Sequence, residues 1–185
     1  MGKSACQCLV VERGIPVVDT DLLARRIVEP GQAALGEVVA RFGAEILDDS
    51  GRLKRHELAA RVFSDSVARK DLESILHPRI RSLWRDQVRS WRSTGHPLAV
   101  VVIPLLFETQ AEKELDKTVC LGCSARTQRE RLLARGWTLD QIRQRLESQW
   151  PVERKVALAD FVIWTEGGMD VHAVQLDRVL ASLRK

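Results

Sequence analysis

The feature that most constrains the fold is a continuous apolar run, PLAVVVIPLLFE, at residues 97–108. A run without alternating polar positions is typical of a strand that is buried on both faces of a parallel sheet. Shorter runs rich in β-branched residues lie at residues 15–18, 117–123 and 160–164. Because long helical stretches separate these runs, we predict an α/β fold with a parallel sheet.

Helical periodicity fills the intervals between the predicted strands. The predicted helices span residues 4–13, 22–27, 32–42, 57–63, 67–76, 79–91, 125–135, 138–150 and 171–183. Gly14 stands where a C-cap glycine follows the first helix, and the pair His77-Pro78 separates two of the later helices. The helices between residues 30 and 96 follow one another without a strand, which predicts a helical insert.

Length and composition restrict the class of protein. A chain of 185 residues with 45% apolar and 29% charged residues fits one globular domain. No apolar run is long enough to cross a bilayer and no signal pattern is present, so we predict a cytoplasmic protein without a membrane partner. The spacing of the cysteines does not fit the two knuckles of a zinc site, and we expect small buried thiols instead. These cysteines are Cys6, Cys8, Cys120 and Cys123.

Arginine predominates among the 29 basic residues, which give a net charge of +4. Scattered guanidinium groups suit the binding of phosphates, because each can donate two parallel hydrogen bonds to phosphate oxygens. Solvated helix faces would account for the same residues, and a nucleic-acid-binding module is a further alternative. The chain has no zinc-finger pattern, dense basic face or aromatic stacking platform, which disfavours that module.

The first residues contain a candidate phosphate site. Gly2, Lys3 and Ser4 match the end of the phosphate-binding loop G-x-x-x-x-G-K-[ST] and open a predicted helix. Free N–H groups at a helix N-terminus attract anions, a lysine there can reach the terminal phosphates, and a serine hydroxyl can bind Mg²⁺. An ordinary helix start with a solvated lysine is the alternative interpretation.

Two carboxylates follow the first predicted strand. Asp19 and Asp21 lie at its carboxyl end, where ligands bind in open α/β sheets. One carboxylate could accept the proton of an attacking hydroxyl while the other holds a metal-bound water. Either aspartate could instead be only the N-cap of the next helix.

Later charged residues suggest a mobile lid. Arg131 and Arg135 are four positions apart and are predicted to share one helix face, where a bound polyanion would relieve their repulsion. A lid closing over nucleotide phosphates is one interpretation, and a solvated face is the other. The predicted lid arginines are Arg126, Arg129, Arg131 and Arg135. For His77, a cap or a core hydrogen bond is the alternative to a functional role.

Taken together, these motifs resemble the dephospho-coenzyme A kinase family. The matching stretches are GKS, VVDTDLLARRIVEPG, DDSGRLKRHELAARVF, LHPRI, IPLLFE, CSARTQRERLLAR and ADFVIWTEGG, in the order and approximate spacing of the family. The resemblance implies a three-layer α/β/α P-loop kinase fold in one domain over residues 1–185. Its core would be residues 1–29, 97–124 and 157–185, with a CoA-binding helical insert at 30–96 and a lid at 125–156.

The resemblance also implies an activity and its residues. The family transfers a phosphoryl group from ATP to the ribose 3′-hydroxyl of dephospho-CoA, with Mg²⁺. It implies catalytic roles for Asp21, Lys3 and Arg131, with Ser4 as the metal ligand. The implied ATP-binding residues are Gly2, Lys3, Ser4, Ala5, Gln128, Arg131 and Arg135. The implied substrate-binding residues are Asp19, Asp21, Arg25, His77, Pro104, Leu105, Leu106 and Glu108. The expected partners are ATP and dephospho-CoA, with no nucleic acid, and the expected state is a monomer.

The chain departs from the family pattern in three places. Trp164-Thr165-Glu166-Gly167 replaces a frequent Asp-Asn, which puts adenine contacts there in doubt. Val102 stands where an aspartate is frequent. The strand and first glycine that precede the loop in the family have no counterpart before Met1, so we expect a truncated and impaired version, which could bind CoA-like ligands without catalysis. Another small-molecule P-loop kinase is the second enzymatic alternative.

Overall fold

The computed structural model describes residues 2–183. The predicted domain bounds also include Met1 and residues 184–185, which lie outside the described residues. The elements in chain order are α1 (Lys3–Glu12), β1 (Val17–Asp19), α2 (Thr20–Arg26), α3 (Ala33–Phe42), α4 (Arg55–Ser64), α5 (Ser66–Ser93), β2 (Val100–Val102), β3 (Val119–Gly122), α6 (Ala125–Leu133), α7 (Leu139–Glu147), α8 (Val152–Leu158), β4 (Phe161–Trp164) and α9 (Met169–Leu183). Short 3₁₀ helices occupy Ala44–Ile46 and Ala111–Glu114.

The chain divides into two compact units, and each is described by itself. The terminal unit comprises Met1–Ile15 and Leu105–Lys185, and the central unit comprises Pro16–Pro104. The predicted division into core, insert and lid stays a prediction. Among the described residues, the strands form two parallel pairs, β1 with β2 and β3 with β4. The predicted α/β class with parallel pairing is confirmed.

In the terminal unit, β3 and β4 run parallel with Val119 opposite Phe161. Asp160, the residue before β4, is bonded to Thr118, the residue before β3. One of its carboxylate oxygens accepts hydrogen bonds from the Thr118 backbone N–H (2.9 Å) and hydroxyl (2.8 Å). The other oxygen accepts from Lys117 Nζ at 2.9 Å. The bonds from Lys117 and Thr118 lower the pKa of Asp160 to about 2, so the clamp is ionised in the folded protein.

In the central unit, an apolar core lies among the helices that follow β1. The cluster comprises Val38, Phe42, Ile46, Leu58, Val62 and Ala68. The residues come from α3, α4, the start of α5 and the first 3₁₀ helix, where their spacing puts them on the inner helix faces. Beside this core, β1 pairs with β2 so that Asp19 lies opposite Val102. The predicted run of helices is therefore present.

The predicted strand at residues 97–108 is wrong in length. Only Val100–Val102 forms a strand, and turns follow from Pro104 onwards. The carbonyl oxygen of Leu105 accepts a hydrogen bond from Thr109 N and that of Leu106 accepts from Ala111 N, both at 3.0 Å. An apolar run indicates burial rather than extended structure, and these turns bond part of their backbone internally while remaining half-buried, with Phe107 fully buried.

The predicted helix break at His77-Pro78 is also wrong. Helix α5 continues for 28 residues with Pro78 inside it. Proline cannot donate a backbone hydrogen bond and crowds the preceding turn. Pro78 leaves the carbonyl oxygen of Ser74, four residues earlier, without its backbone donor, and the packing of α5 against α2, α3 and α4 outweighs that loss. Asp65 caps the N-terminus of the helix through Val67 N and Ala68 N.

The helices within residues 125–156 are shorter and more numerous than predicted. Helix α6 ends at Leu133, so Arg135 lies beyond it and does not share a helix face with Arg131. The bonds from Arg135 N to Leu132 O and from Gly136 N to Leu133 O close the end of the helix. The predicted helix at residues 138–150 ends at Glu147, and α8 was not predicted. Pro151 precedes α8 as its N-cap, because proline has no N–H to lose at a helix start.

All four cysteines are free thiols. Cys120 and Cys123 are buried as predicted, whereas Cys6 is half-buried and Cys8 exposed, so the prediction of buried thiols holds for only two. Burial raises the pKa of Cys120, against a smaller opposite effect of Lys155. Within residues 2–183, no group of three or more His, Cys, Asp or Glu side chains is arranged to hold a metal ion. In the same range, no helix combines the length and apolar character needed to cross a membrane.

Candidate functional site

The N-terminus of α1 has the backbone of an anion site. Gly2 is its N-cap, in the left-handed region with φ 70° and ψ 9°, and no side chain caps the helix. Lys3, Ser4 and Ala5 form the first turn. The N–H groups of such a turn have no partners within the helix, and the helix dipole favours an anion beside them. This geometry agrees with the phosphate site predicted from the sequence.

Gly2 packs directly against Thr165, which follows β4. A Cβ atom added to Gly2 would lie 3.1 Å from both Cβ and Cγ2 of Thr165. A larger residue would therefore be strained twice, by the positive φ and by this contact. Thr165 is only 1% exposed, so its side chain cannot move aside into solvent.

Arg131 reaches the same threonine from α6. Its Nη1 donates to Thr165 Oγ1 at 3.1 Å and its Nη2 donates to the Thr165 carbonyl oxygen at 2.5 Å. The Thr165 hydroxyl donates to the carbonyl oxygen of Gly122 at 3.0 Å. The terminal unit thus brings Gly2 and Arg131, two predicted ATP-binding residues, into contact with one buried threonine.

Glu166 fixes the start of α6. Its Oε1 accepts hydrogen bonds from Ser124 N at 3.0 Å and from the Thr127 hydroxyl at 2.9 Å, and its Oε2 accepts from Trp164 Nε1 at 2.8 Å. The bonds from Ser124, Trp164 and Thr127 lower the pKa of Glu166 to about 2. A carboxylate at a helix N-terminus also interacts favourably with the helix dipole. Glu166, which lies in the segment that departs from the family pattern, therefore holds the N-terminus of α6, the helix that carries Arg131.

The other predicted lid residues lie on or beside α6. Gln128 is half-buried in its first half, and Arg135 is exposed just beyond its end. Arg126 pairs with Glu130 across one helical turn at 2.8 Å, and Arg129 is exposed.

The predicted acids of the central unit have different environments. Asp19 is 8% exposed and is the N-cap of α2, with Oδ1 accepting a hydrogen bond from Asp21 N at 2.8 Å. Between them, the Thr20 hydroxyl donates to the Val102 carbonyl at 3.1 Å, which ties the helix start to β2. Asp21 is exposed in the first turn of α2. The expectation that one aspartate is a cap is met by Asp19, and Asp21 presents its carboxylate at the surface.

The remaining substrate-binding predictions in the central unit are spread over three segments. Arg25 is exposed in the last turn of α2, where its carbonyl oxygen accepts from Arg55 Nη2 at 3.1 Å. His77 lies at the surface of α5, yet partial desolvation of its ring by neighbouring atoms lowers its pKa, with Glu73 opposing this effect. Pro104 is half-buried after β2.

The other three predictions, Leu105, Leu106 and Glu108, lie in the turns of the terminal unit. Glu108 Oε1 accepts from Lys155 Nζ at 2.7 Å and from Trp150 N at 3.0 Å. The side chains of Lys155 and Glu108 are only 8% and 13% exposed. Glu108 Oε2 is buried, without a hydrogen-bond partner among the described residues. The carboxylate therefore anchors this segment to α8.

Sequence reasoning missed three residues of this region, which are Lys155, Thr165 and Glu166. A signal existed for the last two, because polar residues directly after a strand lie at the carboxyl edge where ligands bind. Nothing in the local sequence marks Lys155, since a lysine in an amphipathic helix is normally solvated.

Comparisons with known proteins identify the family of the whole chain. The family model for dephospho-CoA kinase matches residues 1–170. A dephospho-CoA kinase of Anaeromyxobacter dehalogenans is 45% identical over 184 residues, which is 99% of this chain and 87% of that relative. The crystal structure of TT1252 from Thermus thermophilus is similar with a TM-score of 0.82 at 33% identity, covering 98% of this chain and 92% of that one.

A dephospho-CoA kinase structure from Campylobacter jejuni has the same fold. Its TM-score is 0.71 at 24% identity, and the match covers 98% of this chain and 91% of that one. The structural matches confirm the predicted α/β P-loop kinase fold, and the family match extends over nearly all of the sequence. The chain belongs to the dephospho-CoA kinase family.

Proposed function

We propose that this protein transfers the γ-phosphoryl group of ATP to the ribose 3′-hydroxyl of dephospho-CoA, the final step of coenzyme A synthesis. One observation carries the proposal, which is the 45% identity to a dephospho-CoA kinase over 99% of the chain. We expect a monomeric, cytoplasmic enzyme whose partners are the two small-molecule substrates.

The ATP phosphates would bind at the N-terminus of α1. Gly2 permits close approach of the backbone, and the N–H groups of the first turn, including Ala5, would donate to phosphate oxygens. Lys3 would neutralise the terminal phosphates. Arg131, with Gln128 and Arg135 nearby in the chain, would stabilise the charge that spreads over the transferring group.

Ser4 would be a ligand of the Mg²⁺ ion that accompanies ATP. Its exposed hydroxyl in the first turn of α1 is an oxygen donor of the kind that Mg²⁺ prefers. The described residues form no cluster of three acidic or imidazole ligands, which fits an ion bound mainly by phosphates and water. Bound Mg²⁺ would supply neutralisation of phosphate charge.

Asp21 is proposed as the base that orients and deprotonates the 3′-hydroxyl. Asp19 is the weaker candidate for this role, because its Oδ1 already caps α2 and its side chain is largely buried. The cap instead fixes the helix start that carries Asp21. The remaining proposed acceptor-binding residues are Arg25, His77, Pro104, Leu105, Leu106 and Glu108.

The test measures CoA formation from ATP and dephospho-CoA by chromatography. Asp21→Asn is expected to lower kcat by about 10²- to 10⁴-fold, because it removes proton transfer. Its Kd for ATP, measured by calorimetry, should stay within about twofold of the wild type. Asp49→Asn, a change at an exposed acid of the same unit, is the matched control and should leave both values unchanged.

Equal losses of turnover and of ATP affinity in Asp21→Asn would refute the role of Asp21 as base. A panel of nucleosides, nucleotides and sugar acids as acceptors tests the substrate. Faster turnover of any of these than of dephospho-CoA would replace the proposed reaction with that of another small-molecule kinase.

A further inference from the structure

We propose that Thr165 is a positioning residue that holds the guanidinium group of Arg131 beside the phosphate site at the start of α1. The inference rests on the proposed function, since it takes Arg131 as a ligand of the ATP phosphates. It gives a role to a segment that departs from the sequence pattern of the family.

The hydrogen bonds of Thr165 leave its hydroxyl only one orientation. The carbonyl oxygen of Gly122 can only accept, so the Thr165 hydroxyl donates its proton there, at 3.0 Å. The lone pairs of Oγ1 are then available to Arg131 Nη1, which lies 3.1 Å away. At 1% exposure, water does not compete for these bonds.

The backbone of Thr165 adds the second contact. Its carbonyl oxygen accepts from Arg131 Nη2 at 2.5 Å. Each terminal nitrogen of the guanidinium group therefore has one fixed bond, and together the two bonds fix the orientation of its plane. A guanidinium group has five N–H donors, and two of them are used here. Three donors therefore remain for a phosphate ligand without breaking the contact to Thr165.

The contact of Thr165 with Gly2 indicates where this guanidinium group is held. The Cβ and Cγ2 atoms of Thr165 pack on Gly2, the N-cap of α1. Thr165 thus contacts both the residue that begins the proposed phosphate site and the arginine proposed to serve it. Glu166, the next residue, fixes the start of α6 through Ser124 and Thr127. The helix that carries Arg131 is consequently held at two points by adjacent residues.

Removing the Thr165 hydroxyl should loosen Arg131 without changing its charge. In Thr165→Val, Nη1 loses its acceptor, and Arg131 regains rotamer freedom that ATP binding must then remove. We expect kcat/KM for ATP to fall about 3- to 30-fold, which lies within the range of coupling between contacting residues. KM for dephospho-CoA should stay within about twofold. Thr165→Ser keeps the hydroxyl and should restore most of the loss.

A double-mutant cycle separates positioning from general destabilisation. Arg131→Met is expected to lower kcat/KM for ATP more than Thr165→Val does, and adding Thr165→Val to it should cost less than about twofold further. The matched control is Thr118→Val, which removes another buried hydroxyl of the terminal unit, bonded to Asp160 at 2.8 Å. It should lower the melting temperature and leave kcat/KM for ATP unchanged. If Thr165→Val does not fold, Thr165→Ala removes the same hydroxyl with a smaller side chain.

Three results would overturn the proposal. The first is that Thr165→Val lowers kcat/KM for ATP as much in the Arg131→Met background as in the wild type. The second is that Thr165→Ser lowers kcat/KM for ATP as much as Thr165→Val does. The third is that ATP kinetics are unchanged in both Thr165→Val and Thr165→Ala. The cycle is also run on the Kd for ATP by calorimetry. If the effects of Thr165→Val and Arg131→Met on the Kd for ATP are coupled but dephospho-CoA is not turned over, the proposed reaction is refuted and the role of Thr165 is supported. Uncoupled affinities alongside normal turnover would refute only the role of Thr165.

Discussion

Replacing Lys155 with methionine tests the buried ion pair between α8 and the turn segment that contains Glu108. The two side chains are 8% and 13% exposed, and Lys155 Nζ lies 2.7 Å from Glu108 Oε1. Without the lysine, Oε1 keeps only the hydrogen bond from Trp150 N, and Oε2 already has no partner among the described residues. The variant therefore leaves a largely buried carboxylate without its counter-charge.

The cost of this change follows from burial. Removing one partner of a buried ion pair typically destabilises a protein by about 3–5 kcal/mol, because the remaining charge is desolvated without compensation. Lys117 provides the matched control, since it pairs with Asp160 at 2.9 Å while the two side chains are 53% and 35% exposed. Exposed pairs contribute about 0–1 kcal/mol. We therefore expect Lys155→Met to be several times more destabilising than Lys117→Met.

Urea unfolding followed by circular dichroism measures both variants against the wild type. The double variant Glu108→Gln/Lys155→Met should be more stable than Lys155→Met alone, because it removes the uncompensated charge. Equal destabilisation by Lys155→Met and Lys117→Met would refute the argument. Lower stability of the double variant than of Lys155→Met would also contradict it.

Two further predictions concern the contact of Glu166 with the start of α6 and the long helix α5. The pKa of Glu166 is lowered from 4.5 to about 2, so the stability it contributes is present above pH 4.5 and is lost as the pH falls towards 2. Thermal melting should therefore separate Glu166→Gln from the wild type most clearly above pH 4.5 and bring them together near pH 2, and a difference independent of pH would contradict this. Pro78→Ala should raise the free energy of unfolding by about 1–3 kcal/mol, because alanine restores a helical N–H in the interior of α5. Urea unfolding measures this, and an unchanged or lower stability would show that the proline is accommodated without cost.

Apolar periodicity and cap residues predicted most helices and strands, because both depend on interactions between residues that are close in the sequence. Gly14 follows Arg13, the C-cap of α1, with φ 69°, the left-handed conformation in which a glycine commonly ends a helix. The break predicted at Pro78 is wrong because the packing of α5 against α2, α3 and α4 outweighs the single helical hydrogen bond that a proline removes. The predicted length of the strand at residues 97–108 is wrong because apolar character indicates burial in general, and the half-buried turns after β2 are as apolar as the strand.

The candidate site was predictable where a motif belongs to consecutive residues. Gly2, Lys3 and Ser4 begin α1 as their sequence indicates, and Asp19 caps α2. The long-range partners were not predictable. The contact of Lys155 with Glu108 joins residues far apart in the chain and depends on the packing of α8, which no local pattern encodes. The resemblance to the family implied residue roles, which stay predictions, and gave none of these contacts.

The shorter of the two Arg131 contacts ends on the carbonyl oxygen of residue 165, an atom that every amino acid carries. A substitution at this position removes at most the side-chain half of the attachment and leaves the backbone half in place. Mutation there should therefore produce graded changes in fitness rather than loss of function in one step. Such a position can change during evolution while the arginine that depends on it stays in use.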